Sequence, residues 1–171
     1  MDLGFEVVSL GPADHVEEGE QAPEFTRPLV DDEHWENVSL SELTDEGPVL
    51  LVFHPMAGSF PTTYIWQELV ERGLEEVLTV VGVTSSDPYA QKRLVEARDM
   101  EFRLFADPAN DVARSYGIEH DLDGMAGISE PRIATFLLDT DRVVRDAWVS
   151  EEWPEFPPYD DVEAAARDLA D

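Results

Sequence analysis

A chain of 171 residues with 43% hydrophobic and 9% aromatic residues carries enough apolar material for one domain with a single core. Its 11 lysines and arginines face 39 aspartates and glutamates, a net charge of −28, and it contains no cysteine. These features exclude disulfides and thiolate metal sites, and they argue against nucleic-acid binding because no basic stripe exists to neutralise phosphates.

The amino terminus, MDLGFEVVSL, has neither a positive leader region nor a long apolar segment, so no signal peptide or membrane span is expected and a cytoplasmic protein is. Residues 1–16 read as an N-terminal extension in which FEVVSL adds an edge strand; residues 17–171 read as one domain without repeats or linkers. EQAPEFTRPLVDDEHWENVSLSEL is read as loop-rich, punctuated by Pro23 and Pro28, and SLSEL as a short hydrophobic turn. PVLLVF is an unbroken apolar run, the pattern of a strand buried on both faces of a sheet. SFPTTYIWQELVERGL has helical spacing in Ile65 and Leu69, with Pro61 in its first turn and Gly73 near its end.

VLTVVGVTS predicts a second buried strand, and Asp87-Pro88 opens a helix as N-cap and first helical residue. FRLFADP gives a third strand, and NDVARSYGI a short helix stopped by Gly117. EHDLDGMAGISEPR is read as a long loop; IATFLLD and RVVRDAWVS then flank a polar turn at residues 139–141, as in a hairpin. YDDVEAAARDLAD closes the chain as a helix with Val162, Ala165, Ala166 and Leu169 on one stripe. The order predicts an α/β protein with a central mixed β-sheet flanked by helices, a thioredoxin-like arrangement.

The acidity has three readings. Recurrent apolar runs at residues 49–53 and 77–83 oppose a disordered acidic chain, and an acidic face for one basic partner would concentrate charge that here is spread from Glu6 to Asp171. Salt adaptation remains: near 1 M salt the Debye length is about 3 Å, which screens the self-repulsion of such a surface. A single lysine, Lys92, fits the same reading.

The segments Gly19 to Phe25, VSLSEL, LVFHP followed by Ser59 and Thr62, LFADPANDVARSYGI and ATFLLDTDRVVRDAWV, in that order, resemble the peroxiredoxins of the alkyl hydroperoxide reductase/thiol-specific antioxidant type. The resemblance implies a peroxide pocket in which a proline shields the site, a hydroxyl orients the peroxide and a cysteine attacks it. Carried over by position, these are Pro55, Ser59 and Thr62, with Arg132 for the arginine that stabilises the thiolate. Thr62 cannot follow the cysteine's cycle, because its hydroxyl stays protonated and oxygen has no counterpart of the sulfenic acid step. In relatives the arginine stands three residues before the phenylalanine of the hairpin strand; Arg132 stands four before Phe136, a shift that turns a side chain to the opposite sheet face.

Several other residues carry a functional and a plainer reading. His54 serves either as a ligand or acid–base group beside Ser59 and Thr62, or as a packing histidine bonded to backbone, the reading favoured here. No nucleophile elbow accompanies it. His120, Asp121, Asp123 and Gly124 outline part of a metal loop but lack the remaining oxygen ligands of a calcium site, so a solvated loop is expected. His15 and His34 fall in surface segments, Met56 is an oxidisable methionine, and the Asn37-Val38-Ser39 sequon is incidental without an export signal. In SEEWPEFPPY, Trp153, Phe156 and Tyr159 among Pro154, Pro157 and Pro158 form either a lid or subunit contact, or a loop folded back on the sheet.

The expectation is a halophilic, archaeal-type, peroxiredoxin-like redoxin protein without thiol peroxidase activity, acting through binding or assembly. It needs no cofactor or metal, binds no nucleic acid or membrane, and by resemblance forms a homodimer or pairs with a related subunit; its small-molecule ligand is not named by the sequence. Two alternatives stand beside it: an antioxidant oxidoreductase that borrows a partner thiol or a cofactor, and a non-catalytic subunit of an active relative.

Overall fold

The computed structural model describes residues 7–98, 102–122 and 124–171. Its centre is a seven-stranded mixed sheet in the order β10 (Val144–Val149), β9 (Ala134–Leu138), β4 (Val49–Phe53), β5 (Thr79–Thr84), β6 (Arg103–Ala106), β2 (Thr26–Val30) and β3 (Trp35–Ser39). β4 runs parallel to β5, and β5 parallel to β6. β9 and β10 form the hairpin that adds antiparallel to β4.

Strand alternation divides the core in two. Val49, Leu51 and Phe53 face one layer with Phe105, Tyr116 and Phe136, covered by α1 (Leu40–Thr44) and α4 (Asp111–Ser115). Leu50 and Val52 face the other, with Ile65, Trp66 and Leu69 of α2 (Phe60–Glu71), Leu94 and Val95 of α3 (Pro88–Arg98), and Val162 and Ala166 of α5 (Tyr159–Ala170). All five residues of β4 are buried, which is why its sequence shows no polar alternation. The expected thioredoxin-like α/β architecture is present, helices on both faces included.

The stretch before β4 departs from its expected loop. It holds a hairpin of β2 (Thr26–Val30) and β3 (Trp35–Ser39), with β2 also paired to β6. Pro28 sits in β2 opposite Asn37, but only Leu29 and Val30 meet β6, so the proline lies where β2 has no second neighbour. SLSEL is not a turn but the start of α1: Ser39 accepts from the Glu42 N–H while the Glu42 carboxylate accepts from the Ser39 N–H, a capping box. The loop after α4 is closed at its base by β7 (Glu119–His120) against β8 (Glu130–Pro131).

FEVVSL does not extend the central sheet. β1 (Val8–Ser9) pairs instead with β11 (Glu152–Trp153) in a separate two-stranded ribbon; Phe5 and Glu6 lie outside the described residues. The chain then crosses the first core layer. Val16 donates to the Tyr116 carbonyl, and the His15 ring meets Phe136 edge-on at 6.3 Å, so His15 packs against the core rather than standing free. Gly117 permits the crossing: at φ 77° a Cβ there would fall 2.2 Å from the Asp14 carbonyl oxygen.

Arg72, at the end of α2, ties that helix to α5. It donates to Glu68, Asp160 and Glu163, its guanidinium lies 5.4 Å from the Tyr159 ring centre, and the carboxylates hold its pKa above the ordinary arginine value. Among the described residues no helix is long and apolar enough to cross a membrane.

Candidate functional site

The loop 55–59 leaves β4 at its carboxyl end and enters α2 through Ser59, whose extended backbone makes it the N-cap. Thr62 stands in the first turn, fully buried. Its hydroxyl proton points to the Pro55 carbonyl at 2.8 Å, with the Met56 carbonyl a longer second acceptor at 3.3 Å. Since that proton is used, the Ser59 hydroxyl at 2.9 Å donates to Thr62, and the His54 Nδ1 at 3.3 Å approaches the other lone pair. One donor and two acceptor positions are all occupied by the chain itself. A saturated, buried hydroxyl is a fastening between loop and helix, with no lone pair left for a substrate.

His54 is equally enclosed. Its Nδ1 lies 2.8 Å from the Pro55 carbonyl, which can only accept, so Nδ1 carries the proton and shares it with the Thr62 hydroxyl as the longer arm of a bifurcated bond. Nε2 therefore accepts, and the indole N–H of Trp66 donates to it at 3.3 Å, the two rings meeting edge-on. Burial pulls the imidazole pKa down to about 4, partly opposed by the bond to Pro55, so the ring is neutral near pH 7. Beneath the pair lies Gly82 of β5. A Cβ there would come 2.6 Å from Trp66 Cζ2, 2.6 Å from Leu104 Cδ2 and 2.8 Å from His54 Nε2.

Two backbone donors of the loop are also taken. The Met56 N–H donates to the Glu130 carboxylate at 3.0 Å, and the Ala57 N–H to the Ser86 hydroxyl at 2.7 Å. Glu130 and Ser86 are both buried.

Pro55, Ser59, Thr62 and His54 are thus brought together, whereas Arg132 turns elsewhere. Its guanidinium donates to the carbonyls of Gly11 at 2.7 Å, Ser150 at 3.1 Å and Leu10 at 3.4 Å, pinning the segment that follows β1. Among the described residues no hydrogen bond or ion pair links it to Ser59 or Thr62. Position 133, three before Phe136, is isoleucine; it is fully buried and packs in the layer that holds Ile65, Trp66 and Leu69 of α2. The wall nearest α2 is apolar where a cation would be wanted. Trp66, Gly82, Glu130 and Ile133 escape the sequence reading. Spacing from Phe136 marks Ile133, and a glycine inside an otherwise branched strand marks Gly82, but nothing local marks Glu130.

The remaining candidates fall outside this cluster. His120 Nδ1 lies 3.3 Å from the Asp121 carboxylate, Asp123 is outside the described residues, and among those described no group of three or more His, Asp or Glu side chains could hold a metal. His34 pairs with Asp31 at the exposed tip between β2 and β3. Trp153, Phe156 and Tyr159 fold back onto the second core layer, Phe156 also meeting Tyr64 edge-on at 6.3 Å. A surface cavity of about 400 Å³ near the start of β4 and β5, bordered by Glu46, Glu75, Glu76 and Arg103, contains none of the candidate residues.

Residues 18–147 match the model of the AhpC/TSA family. Peroxidoxin BcpB from Mycobacterium tuberculosis is 28% identical and superposes with a TM-score of 0.74 over 91% of this chain and 99% of that one. The AhpC of Enterococcus faecalis (16% identity, TM-score 0.75, 88% of this chain and 90% of that one) and the reduced 2-Cys peroxiredoxin of Plasmodium vivax (18%, 0.74, 88% and 80%) share the fold.

Proposed function

The chain belongs to the AhpC/TSA family, and from that premise we propose that it is a peroxiredoxin-like protein without thiol peroxidase activity, acting through binding or assembly. The observation that carries this reading is Thr62: at the position the resemblance gives to the attacking cysteine stands a hydroxyl with its proton and both lone pairs engaged by the chain. The second support is Ile133, which lines the α2 face with hydrocarbon in place of a cation. Peroxide consumption by the purified protein in molar KCl, with a thiol reductant supplied, tests it; turnover above the reductant's own background sinks it.

Assembly is favoured over a small ligand because the pocket's polar groups already satisfy one another. Phe60 and Tyr64, 42% and 54% exposed on the outer side of α2 and 6.3 Å apart edge-on, are apolar surface beside the altered site. A homodimer, or a complex with a cysteine-bearing relative, is the form of assembly proposed.

The working environment proposed is concentrated salt. Arg27, Arg72, Lys92, Arg114, Arg142, Arg145 and Arg167 each pair with a carboxylate, yet the net charge remains −28. Carboxylates without a cation repel across the surface, and salt screens that repulsion. Diluting KCl from molar to about 0.01 M, where the Debye length is about 30 Å, is expected to lower the midpoint of thermal unfolding. A midpoint that stays put or rises on dilution would remove the salt-adapted reading while leaving the argument from Thr62 intact.

A further inference from the structure

Among the described residues, the polar contacts that close the loop 55–59 are made by uncharged groups except for the Glu130 carboxylate at the Met56 N–H. The His54–Trp66 bond sits at the centre of this closure and can exist only while Nε2 is unprotonated. A second proton on the ring would set an imidazolium N–H against the indole N–H that now donates to Nε2. We propose that His54 and Trp66 form an acid-sensitive latch: protonation of His54 breaks the bond to Trp66, drives the ring from its buried seat and releases the loop 55–59 from the end of β4.

Among the described residues, no charged side chain contributes to the setting of the imidazole. The loop itself (Pro55, Met56, Ala57, Gly58, Ser59) has no ionisable side chain. α2 presents Thr62 and Trp66 to the ring, β5 presents Gly82, and Leu104 of β6 closes the floor, all of them uncharged. The lowered pKa, about 4 against 6.5, has burial as its leading cause and no charged neighbour among its causes.

The sign follows from linkage. Because the closed form has the lower pKa, closure is fully stable above pH 6.5 and weakens as pH falls through the interval down to 4. Across it the open form binds a proton that the closed form does not, which costs about tenfold in the closed-to-open ratio per pH unit. The 2.5 units between 6.5 and 4 amount to a few hundredfold, on the order of 300. This inference does not depend on the absence of peroxidase activity; a protein that consumed peroxide would carry the same latch.

Amide hydrogen exchange in molar KCl, corrected for the intrinsic rate at each pH, reads the latch directly. Protection of the Met56 and Ala57 amides is expected to fall steadily from pH 6.5 toward 4.5 while that of Leu51, inside β4, is retained. His54→Phe, which keeps a ring but cannot protonate, should hold its loop protection flat over that range, and Glu130→Gln should keep the parent's response. Constant protection in the parent, a parallel loss at Leu51, or an acid response that survives His54→Phe or vanishes with Glu130→Gln would overturn the proposal. Should either variant fail to fold, nitrogen NMR of the parent decides. A ring that gains its second proton with the Trp66 indole signal unmoved refutes the latch, and loss of both signals in step supports it.

Discussion

Thr62→Cys should fold, and its thiol should stay protonated at neutral pH and react with peroxide no faster than an unactivated cysteine. Two effects compete at this position. The amino end of α2 favours a thiolate, but a helix terminus contributes only about 0.3–1 kcal/mol, less than one pKa unit. Full burial opposes the charged form by up to about 3–5 units. A nearby guanidinium could reverse the balance, yet Arg132 is spent on the carbonyls of Leu10, Gly11 and Ser150, and Ile133 holds the wall beside α2. Desolvation wins. Titrating the ultraviolet thiolate absorbance of the variant, beside a single-turnover peroxide reaction, checks this; a thiol ionised below neutral pH with rapid peroxide attack would mean that the site keeps an activating cation after all.

Gly82→Ala should be the most damaging small substitution in the sheet, at about 3 kcal/mol. The added methyl would meet three side-chain atoms at 2.6–2.8 Å, all belonging to groups with no room to retreat: the Trp66 and His54 rings and Leu104. Trp66 cannot swing outward without losing its bond to His54 and its ring contact with Phe102 at 4.9 Å. For a chain of this length each kcal/mol moves the unfolding midpoint by about 2–4 °C, so a fall of about 6–12 °C is expected in thermal scans at constant KCl. A fall under a degree would show that the histidine–indole pair is loosely seated, and would weaken the latch argued from its packing.

Much of the fold was legible because the buried strands advertise themselves. PVLLVF is a continuous apolar run and VLTVVGVTS is rich in valine, and they became β4 and β5 of the central sheet. What escaped was short or contradictory locally. Pro28 argued against a strand, and only the missing neighbour of β2 at that point explains why it is tolerated. The capping box at Ser39 and Glu42 was readable by its spacing, but five helical residues are too few to give a periodic signal. β7 and β8 are two residues each and owe their pairing to the fold around them.

The candidate site was legible in part. Pro55, Ser59 and Thr62 converge because they sit on one loop and one helical turn, so their spacing in the chain nearly fixes their spacing in space. The favoured reading of His54, a packing residue bonded to backbone, agrees with its contact to the Pro55 carbonyl, but its partners Trp66 and Gly82 lie on other elements. Glu130 reaches Met56 across 74 residues of sequence, a distance no local pattern can bridge. Arg132 and Ile133 illustrate how one position along an extended segment decides between a cation and a methyl group at the same wall.

The absence of thiol peroxidase activity is read by following hydrogen peroxide with the unmodified protein in molar KCl, a thiol reductant present and protein concentration varied over a wide range. Peroxide loss that is independent of protein concentration is the predicted result. Catalytic loss that rises in proportion to protein, beyond the one oxygen that each of the four methionines can take up, would contradict the account, since the chain has no thiol for the reductant to turn over.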